Sequence, residues 1–267
     1  MMKLMLIPES IAMAKDAVAG GVDRIFIDLE RAGKFERQGG GTWISTHTLD
    51  DVSVYREALP DIELLVRIDP WCAGSPDTVE QVVARGADII MLPMIENVAN
   101  VERLCDLLAG RASAVPLIET VHSAEAIRSI CQSPVTEIYV GLNDLHRQLG
   151  LRFMFEPLAS GLVDQLCSTA LKNSKPFGFG GMAQIGHGDL PAEMILGEHV
   201  RMGSSAVILS RKFKGDAGDD FDWSGHIARI RELESGYALR SAAEAERDRL
   251  AVNERIRSIA ATMKAAS

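Results

Sequence analysis

The chain has 267 residues, 28 Lys+Arg against 37 Asp+Glu, and a net charge of −9 at pH 7. Its 47% apolar and 24% charged residues are ordinary for a globular protein and exclude a largely disordered chain. A net acidic chain without a Lys/Arg stripe repels phosphate, which excludes nucleic acid as a partner.

Short β-rich apolar runs alternate with helical patterns. LMLIP (4–8) reads as a strand, followed by a helix to Ala19 that ends at Gly20-Gly21. RIFIDLE (24–30) is the second strand, then a long polar loop over 31–49 containing Gly39-Gly40-Gly41, and a helix near 50–58. LLVRID (64–69) precedes a helix over 76–85, and ADIIMLPM (87–94) precedes one over 98–108. AVPLIET (114–120) leads to a helix over 123–131, and EIYVGL (137–142) leads through a loop to a helix over 159–172. FGFGG (177–181) and AVILS (206–210) bracket a helix over 190–202. The strand runs are continuous rather than alternating, so both faces are buried, as in parallel sheets.

Eight such strands, nearly all followed by a helix, predict an α/β fold, a (β/α)8 TIM barrel. A doubly wound open sheet is the alternative, but the first strand–helix turn, Pro8-Glu9-Ser10, carries no GxGxxG. Gly178, Gly180 and Gly181 lie within a strand, where they allow close packing or backbone approach to a ligand. The tail is rich in Ala, Glu and Arg and reads as helix. The expected division is a barrel over 1–222 and a helical segment over 223–267, which completes the barrel and then packs on another subunit or projects into solvent.

The apolar run after Met1-Met2-Lys3 is about five residues, too short for a signal-peptide core. No window approaches the ~18 apolar residues of a membrane span. Cys72, Cys105, Cys131 and Cys167 form no CxxC pair, which excludes a zinc knuckle and suits reduced thiols. A cytoplasmic location with no membrane partner is expected.

Catalytic groups of such a barrel sit where its strands end. Those positions hold Asp28, Glu30 and Arg31; Arg67 and Asp69; Glu119 and Thr120; Asn143, Asp144 and His146; Met182 and Gln184. Glu119 and Asp144 end adjacent strands and can converge on one point. That suits a hard divalent cation, Mg²⁺ or Mn²⁺, completed by water and substrate oxygens; helix caps or loop salt bridges are the alternative. Arg67 closes an apolar strand, so it needs a substrate anion or a structural partner among Asp28, Glu30 and Asp69. Arg31, Lys34, Arg37 and His47 make the second loop either a cationic lid over an anionic substrate or a solvated loop.

At these residues the chain resembles the HpcH/HpaI aldolase and citrate lyase β-subunit family. The resemblance runs over about 22–212 through IDLE, LVRIDPW, GADIIMLPMIEN, PLIET, GLNDLHRQLG and GFGGM…MGSSAVILS. It implies a barrel that forms homo-oligomers, trimers or hexamers, exchanging a last helix. It implies metal ligands at Glu119 and Asp144, a substrate-orienting and catalytic Arg67, and substrate-carboxylate binding around Asn143-Asp144. The implied activity is metal-dependent carbon–carbon lyase chemistry. A 2-oxo or hydroxy acid is cleaved or formed through a metal-stabilised enolate, with Arg67 adding charge where the oxyanion develops.

Two departures bear on this. The pyruvate aldolase branch has a histidine just after the acidic pair of the second strand, where this chain has Arg31; Asp28 still matches the acidic member of that proton-transfer dyad. The citrate lyase branch opens with an Arg-Ser pair that MKLMLIPES lacks. His47 is the candidate replacement base, with His122 and His146 as rivals and metal-bound water as a further option. An acyl-CoA thioester lyase and a non-catalytic carboxylate-binding barrel are the other readings.

Overall fold

The structure is a computed structural model and describes residues 1–33, 45–215 and 221–263. Strands β1 (Lys3–Leu6), β2 (Arg24–Asp28), β3 (Glu63–Arg67), β4 (Ile89–Leu92), β5 (Ser113–Ile118), β6 (Ile138–Val140), β7 (Phe177–Met182) and β8 (Ala206–Leu209) run parallel. They close in sequence order, β8 pairing with β1. The chain is therefore a (β/α)8 barrel, as its pattern predicts.

The helices that cover it are α1 (Ile11–Ala19), α2 (Leu49–Ala58), α3 (Ser75–Ala84), α4 (Val98–Leu108), α5 (Val121–Glu125), α6 (Ile127–Gln132), α7 (Leu142–Gln148), α8 (Glu156–Ala159), α9 (Leu162–Lys172), α10 (Ala192–Met202), α11 (Trp223–Ala238) and α12 (Ala242–Thr262). Two places differ from the sequence reading. The helix expected over 123–131 breaks at Ala126 into α5 and α6. The loop expected after the sixth strand is instead α7, which starts at the strand's exit behind Gly141 and carries Asn143, Asp144 and His146.

Strand parity builds the interior. Side chains alternate between the barrel axis and the helices. Met5, Phe26, Leu65, Met91, Val115, Leu117 and Tyr139 pack along the axis. Leu4, Ile25, Leu64, Val66 and Ile90 face the helical layer. The axial residues at either end of this apolar plug are charged. At the N-terminal end Arg24 pairs in register with Glu63, donating to it at 3.0 Å and to Glu137 at 2.5 Å. Four residues further along, Asp28 pairs in register with Arg67, which places a second ionic layer at the C-terminal end.

The glycines of β7 serve close packing. The β7–β8 register shifts between Gly178 and Gly181. The Tyr139 hydroxyl fills the gap, donating to the Gly180 carbonyl at 2.8 Å and accepting from the Ile208 N–H at 2.9 Å. A Cβ on Gly178 would stand 2.5 Å from the Tyr139 ring.

The tail folds back on its own barrel. Helix α11 packs against α1 and α10, and α12 against α8 and α10. Val252, Ile256 and Ala260 are buried there. Among the described residues no helix is long and apolar enough to cross a membrane.

Candidate active site

A cavity of about 250 Å³ opens at the C-terminal end of the barrel. It is slightly smaller than the ~300 Å³ usual for small-molecule sites, so it suits a compact ligand. Its polar lining includes Asp28, Arg67, Glu119, Asn143 and Asp144, five of the residues singled out from sequence. Phe26, Met91 and Leu117 form its floor.

Arg67 is held by two carboxylates. Its Nε donates to Asp28 Oδ1 at 2.9 Å and its Nη2 to Asp28 Oδ2 at 2.8 Å. Glu30 Oε2 lies 3.2 Å from the same Nη2. Of the three partners expected from sequence, Asp28 and Glu30 are engaged, whereas Asp69 accepts the Arg31 and Ala32 N–H groups. Burial alone would lower the arginine's pKa; the two carboxylates more than reverse this and keep it cationic. The guanidinium also stands 5.5 Å over the Phe26 ring, a cation–π contact that fixes its plane.

Glu119 follows β5 and is buried. One oxygen accepts the Met94 N–H at 3.1 Å. Met94 adopts φ +48°, a left-handed conformation uncommon for a side-chain-bearing residue and often found at functional sites. Burial, then the charge of Asp144, push the Glu119 carboxyl up to about 8, against the pull of Arg67 and the Met94 N–H. Gly141 lets this carboxylate lie flat on the chain, because a Cβ there would stand 2.8 Å from Glu119 Oε2. Asp144 reaches the cavity from the first turn of α7 and is also buried.

This geometry tests the divalent ion that the resemblance implies. Two buried carboxylates from adjacent strand exits face one cavity, and Glu119 is forced toward its neutral form by burial and then by the charge of Asp144. That is a donor set short of positive charge, and the residues fit a hard cation. Among the described residues no group of three or more His, Cys, Asp or Glu could hold a metal. A cation here would take its remaining ligands from water and substrate.

The other predicted residues lie elsewhere. His47 is buried outside the cavity lining. Its Nδ1 accepts the Asp28 backbone N–H at 3.2 Å, and its ring stands edge-on to Tyr55 at 5.6 Å. Burial holds it below the usual imidazole range, against a hydrogen bond with the Pro8 backbone. Its ring is thus committed to the Asp28 N–H at the end of β2 and to the Pro8 backbone beyond β1, which does not place it as a base over the substrate. Arg31 is exposed and also turned away from the cavity. It donates to the carbonyls of Ser45 at 3.0 Å and His47 at 2.6 Å, while Asp69 accepts its own N–H at 2.6 Å. It clamps the base of the second loop. Lys34 and Arg37 lie outside the described residues. His122 is exposed, 3.3 Å from Glu96; His146 is buried with Nδ1 on the Leu142 carbonyl at 3.1 Å.

Two cavity features escaped the sequence reading. Tyr139 reads as an ordinary strand residue. Arg211 and Lys214 line the cavity just after β8; surveying the exit of the eighth strand like the others would have found Arg211.

A closed parallel barrel with carboxylates and an arginine at its strand exits defines an enzyme-type TIM barrel site. The HpcH/HpaI aldolase/citrate lyase family model matches residues 4–154, and the chain belongs to that family. It is thus a lyase of the aldolase/citrate lyase type. Arg67, Glu119 and Asp144 all fall inside the match, while β7, β8 and the tail fall outside it. No curated protein matches the chain.

Among solved structures, the chain is similar to an HpcH/HpaI aldolase from Desulfitobacterium hafniense DCB-2, with 14% identity and a TM-score of 0.62 over 90% of this chain and 94% of that one. RipC from Yersinia pestis gives 19% identity and a TM-score of 0.59 over 91% and 97%. An HpcH/HpaI aldolase/citrate lyase family protein from Burkholderia cenocepacia J2315 gives 15% and 0.60 over 88% and 93%. At these identities the likeness is one of fold.

Proposed function

We propose that this chain is a divalent-metal-dependent carbon–carbon lyase that cleaves or forms a 2-oxo or hydroxy acid. The observation that carries the reading is the convergence of buried Glu119 and Asp144 on the cavity that Arg67 also lines. Glu119 and Asp144 would hold Mg²⁺ or Mn²⁺. When bound, the ion supplies Lewis-acid stabilisation of negative charge on the substrate oxygens.

The chain's own groups do the rest. Arg67 holds a fixed positive charge at the wall where a carbonyl oxygen gains electron density as the carbon–carbon bond breaks. Asp28 grips the guanidinium through two oxygens, which prevents it from swinging out. Asn143 sits one residue from Asp144 and faces the substrate carboxylate. Phe26, Met91 and Leu117 exclude water beneath the reacting atoms. Asp28 also borders the cavity and is not one of the two proposed metal ligands, so it is the protein group assigned to exchange a proton with the substrate hydroxyl. We extend the proposal to a cytoplasmic homo-oligomer, a trimer or hexamer.

The test is retro-aldol turnover of 4-hydroxy-2-oxo acids by chelator-treated and Mn²⁺-restored protein. Turnover should vanish with chelator, return with Mn²⁺, and be absent in Glu119→Gln and Asp144→Asn. Chelator-resistant turnover, or turnover by either variant, refutes the metal reading.

A further inference from the structure

The chain leaves β4 through a strained turn. The strand ends at Leu92, Pro93 follows, and Met94 stands at φ +48°. Among the described residues other than glycine, Ala109 and Ser174 also have a positive φ. Each of those closes a helix: Ala109 caps α4, and Ser174 follows the cap of α9. The left-handed region is an ordinary way for a helix to end. Met94 closes none. It lies between β4 and Asn97, the N-cap of α4. A side-chain-bearing residue keeps such a conformation only where its surroundings over-determine it.

Those surroundings are the exit of the next strand. The Met94 N–H donates to Glu119 Oε1 at 3.1 Å. The carbonyl of Ile95, the following and buried residue, accepts the Thr120 hydroxyl at 2.6 Å. Thr120 is itself fully buried, and its hydroxyl accepts the Ser123 N–H at 2.9 Å. Two adjacent hydrogen bonds thus tie the exits of β4 and β5 in opposite senses. In one a backbone donor meets the Glu119 side chain; in the other the Thr120 side chain meets a backbone acceptor.

The tie decides how Glu119 is turned. Oε1 is held on the β4 side by Met94. Oε2 lies against Gly141, the residue from which α7 carries Asp144 into the cavity. The two oxygens therefore have different tasks, one structural and one free for a ligand.

We propose that Met94 and Thr120 are positioning residues for Glu119. The left-handed Met94 N–H and the Thr120 hydroxyl together turn the carboxylate so that Oε2 serves the same ligand as Asp144. This rests on the reading of Glu119 and Asp144 as ligands of a small divalent ion, which tolerates little error in the placement of its oxygens.

The experiment titrates Mn²⁺ into chelator-treated full-length protein and follows free Mn²⁺ by electron paramagnetic resonance, so that no turnover is needed. Glycine adopts a positive φ without strain and keeps the N–H, so Met94→Gly should bind Mn²⁺ within about twofold of wild type. Valine keeps an apolar side chain, but its β-branch resists the left-handed region. Met94→Val should therefore bind about 10–100-fold more weakly, the usual cost of losing a group that orients a metal ligand. Thr120→Ser keeps the hydroxyl and should stay near wild type, while Thr120→Val, of the same shape without the donor, should weaken binding at least about tenfold. Thr120→Val also loses a cap of α5, which lowers its metal-free melting midpoint; the Met94 variants leave that cap intact. If Met94→Val does not fold, the Thr120 pair decides. A packing role for the Met94 side chain gives the reverse order, with Met94→Gly weaker than Met94→Val. That order, or wild-type affinity in Met94→Val or Thr120→Val, overturns the positioning role alone. If the wild type binds no Mn²⁺, or Glu119→Gln binds it equally well, the parent reading fails and the positioning role falls with it.

Discussion

Replacing Glu119 with Gln should make the metal-free protein more stable while destroying its response to metal. The carboxyl sits at about 8 in the folded chain because burial and Asp144 disfavour its charge; its ordinary value is 4.5. Between these values the folded state holds a proton that the unfolded state has lost, so stability falls as pH rises. At 1.36 kcal/mol per unit, the cost is about 3 kcal/mol at pH 7 and under about 1 kcal/mol at pH 5. A glutamine keeps an oxygen for the Met94 N–H and is never charged. Its advantage should therefore be on the order of 5–10 °C in midpoint at pH 7–8 and should shrink toward pH 5. The assay is thermal unfolding of chelator-treated wild type and Glu119→Gln from pH 5 to 8.5, without and with Mn²⁺. Mn²⁺ should raise the wild-type midpoint only. A variant that melts at or below wild type at pH 8, or an advantage that does not shrink toward pH 5, refutes the account of Glu119 as a group strained for ligand binding.

Four further outcomes follow from named contacts. Arg67→Met leaves Asp28 and Glu30 buried without their cation and should cost about 3–5 kcal/mol in urea unfolding, as well as turnover. His47→Gln keeps an acceptor for the Asp28 N–H; it should lower turnover less than about tenfold and leave the shape of the pH–rate profile unchanged, whereas a catalytic imidazole would lose a limb of that profile. His199 is buried and stacked on Phe179 at 3.8 Å, and burial depresses it to about 3. The unfolded chain takes up a proton below about 6.5 and the native chain does not, so stability falls as pH drops from there; His199→Phe should recover about 2 kcal/mol at pH 5 relative to pH 7.5 in urea midpoints. Tyr139→Phe removes both hydrogen bonds that span the β7–β8 gap and should cost about 1–3 kcal/mol.

The barrel was legible in sequence because eight buried parallel strands leave eight continuous apolar runs. Arg67 and the Glu119–Asp144 pair were legible because a charge ending such a run must face the axis or the exit. His47 was misplaced for a physical reason. Sequence shows that an imidazole follows the second loop, but not that the Asp28 N–H needs an acceptor there. Helix α7 was missed because Gly141 and Asn143 read as loop residues, although strand and helix join there without one. The tail reads as a packed helix, but an amphipathic stripe does not record which barrel it lies against.

His47 and Arg31 do related work from different sides. Where the aldolase branch has a histidine beside the acidic residue, this chain has an arginine spent on holding the Ser45 and His47 carbonyls. That clamp fixes the segment carrying His47, and His47 fixes the backbone of Asp28, whose carboxylate sets the Arg67 guanidinium. The order of dependence predicts graded effects. Loss of Arg31 should reach the cavity only through Asp28 and Arg67, so Arg31→Ala should lower turnover without altering Mn²⁺ affinity. A parallel loss of Mn²⁺ binding would show that the loop touches the Glu119–Asp144 end directly, and the clamp would then have to be redrawn as part of the site.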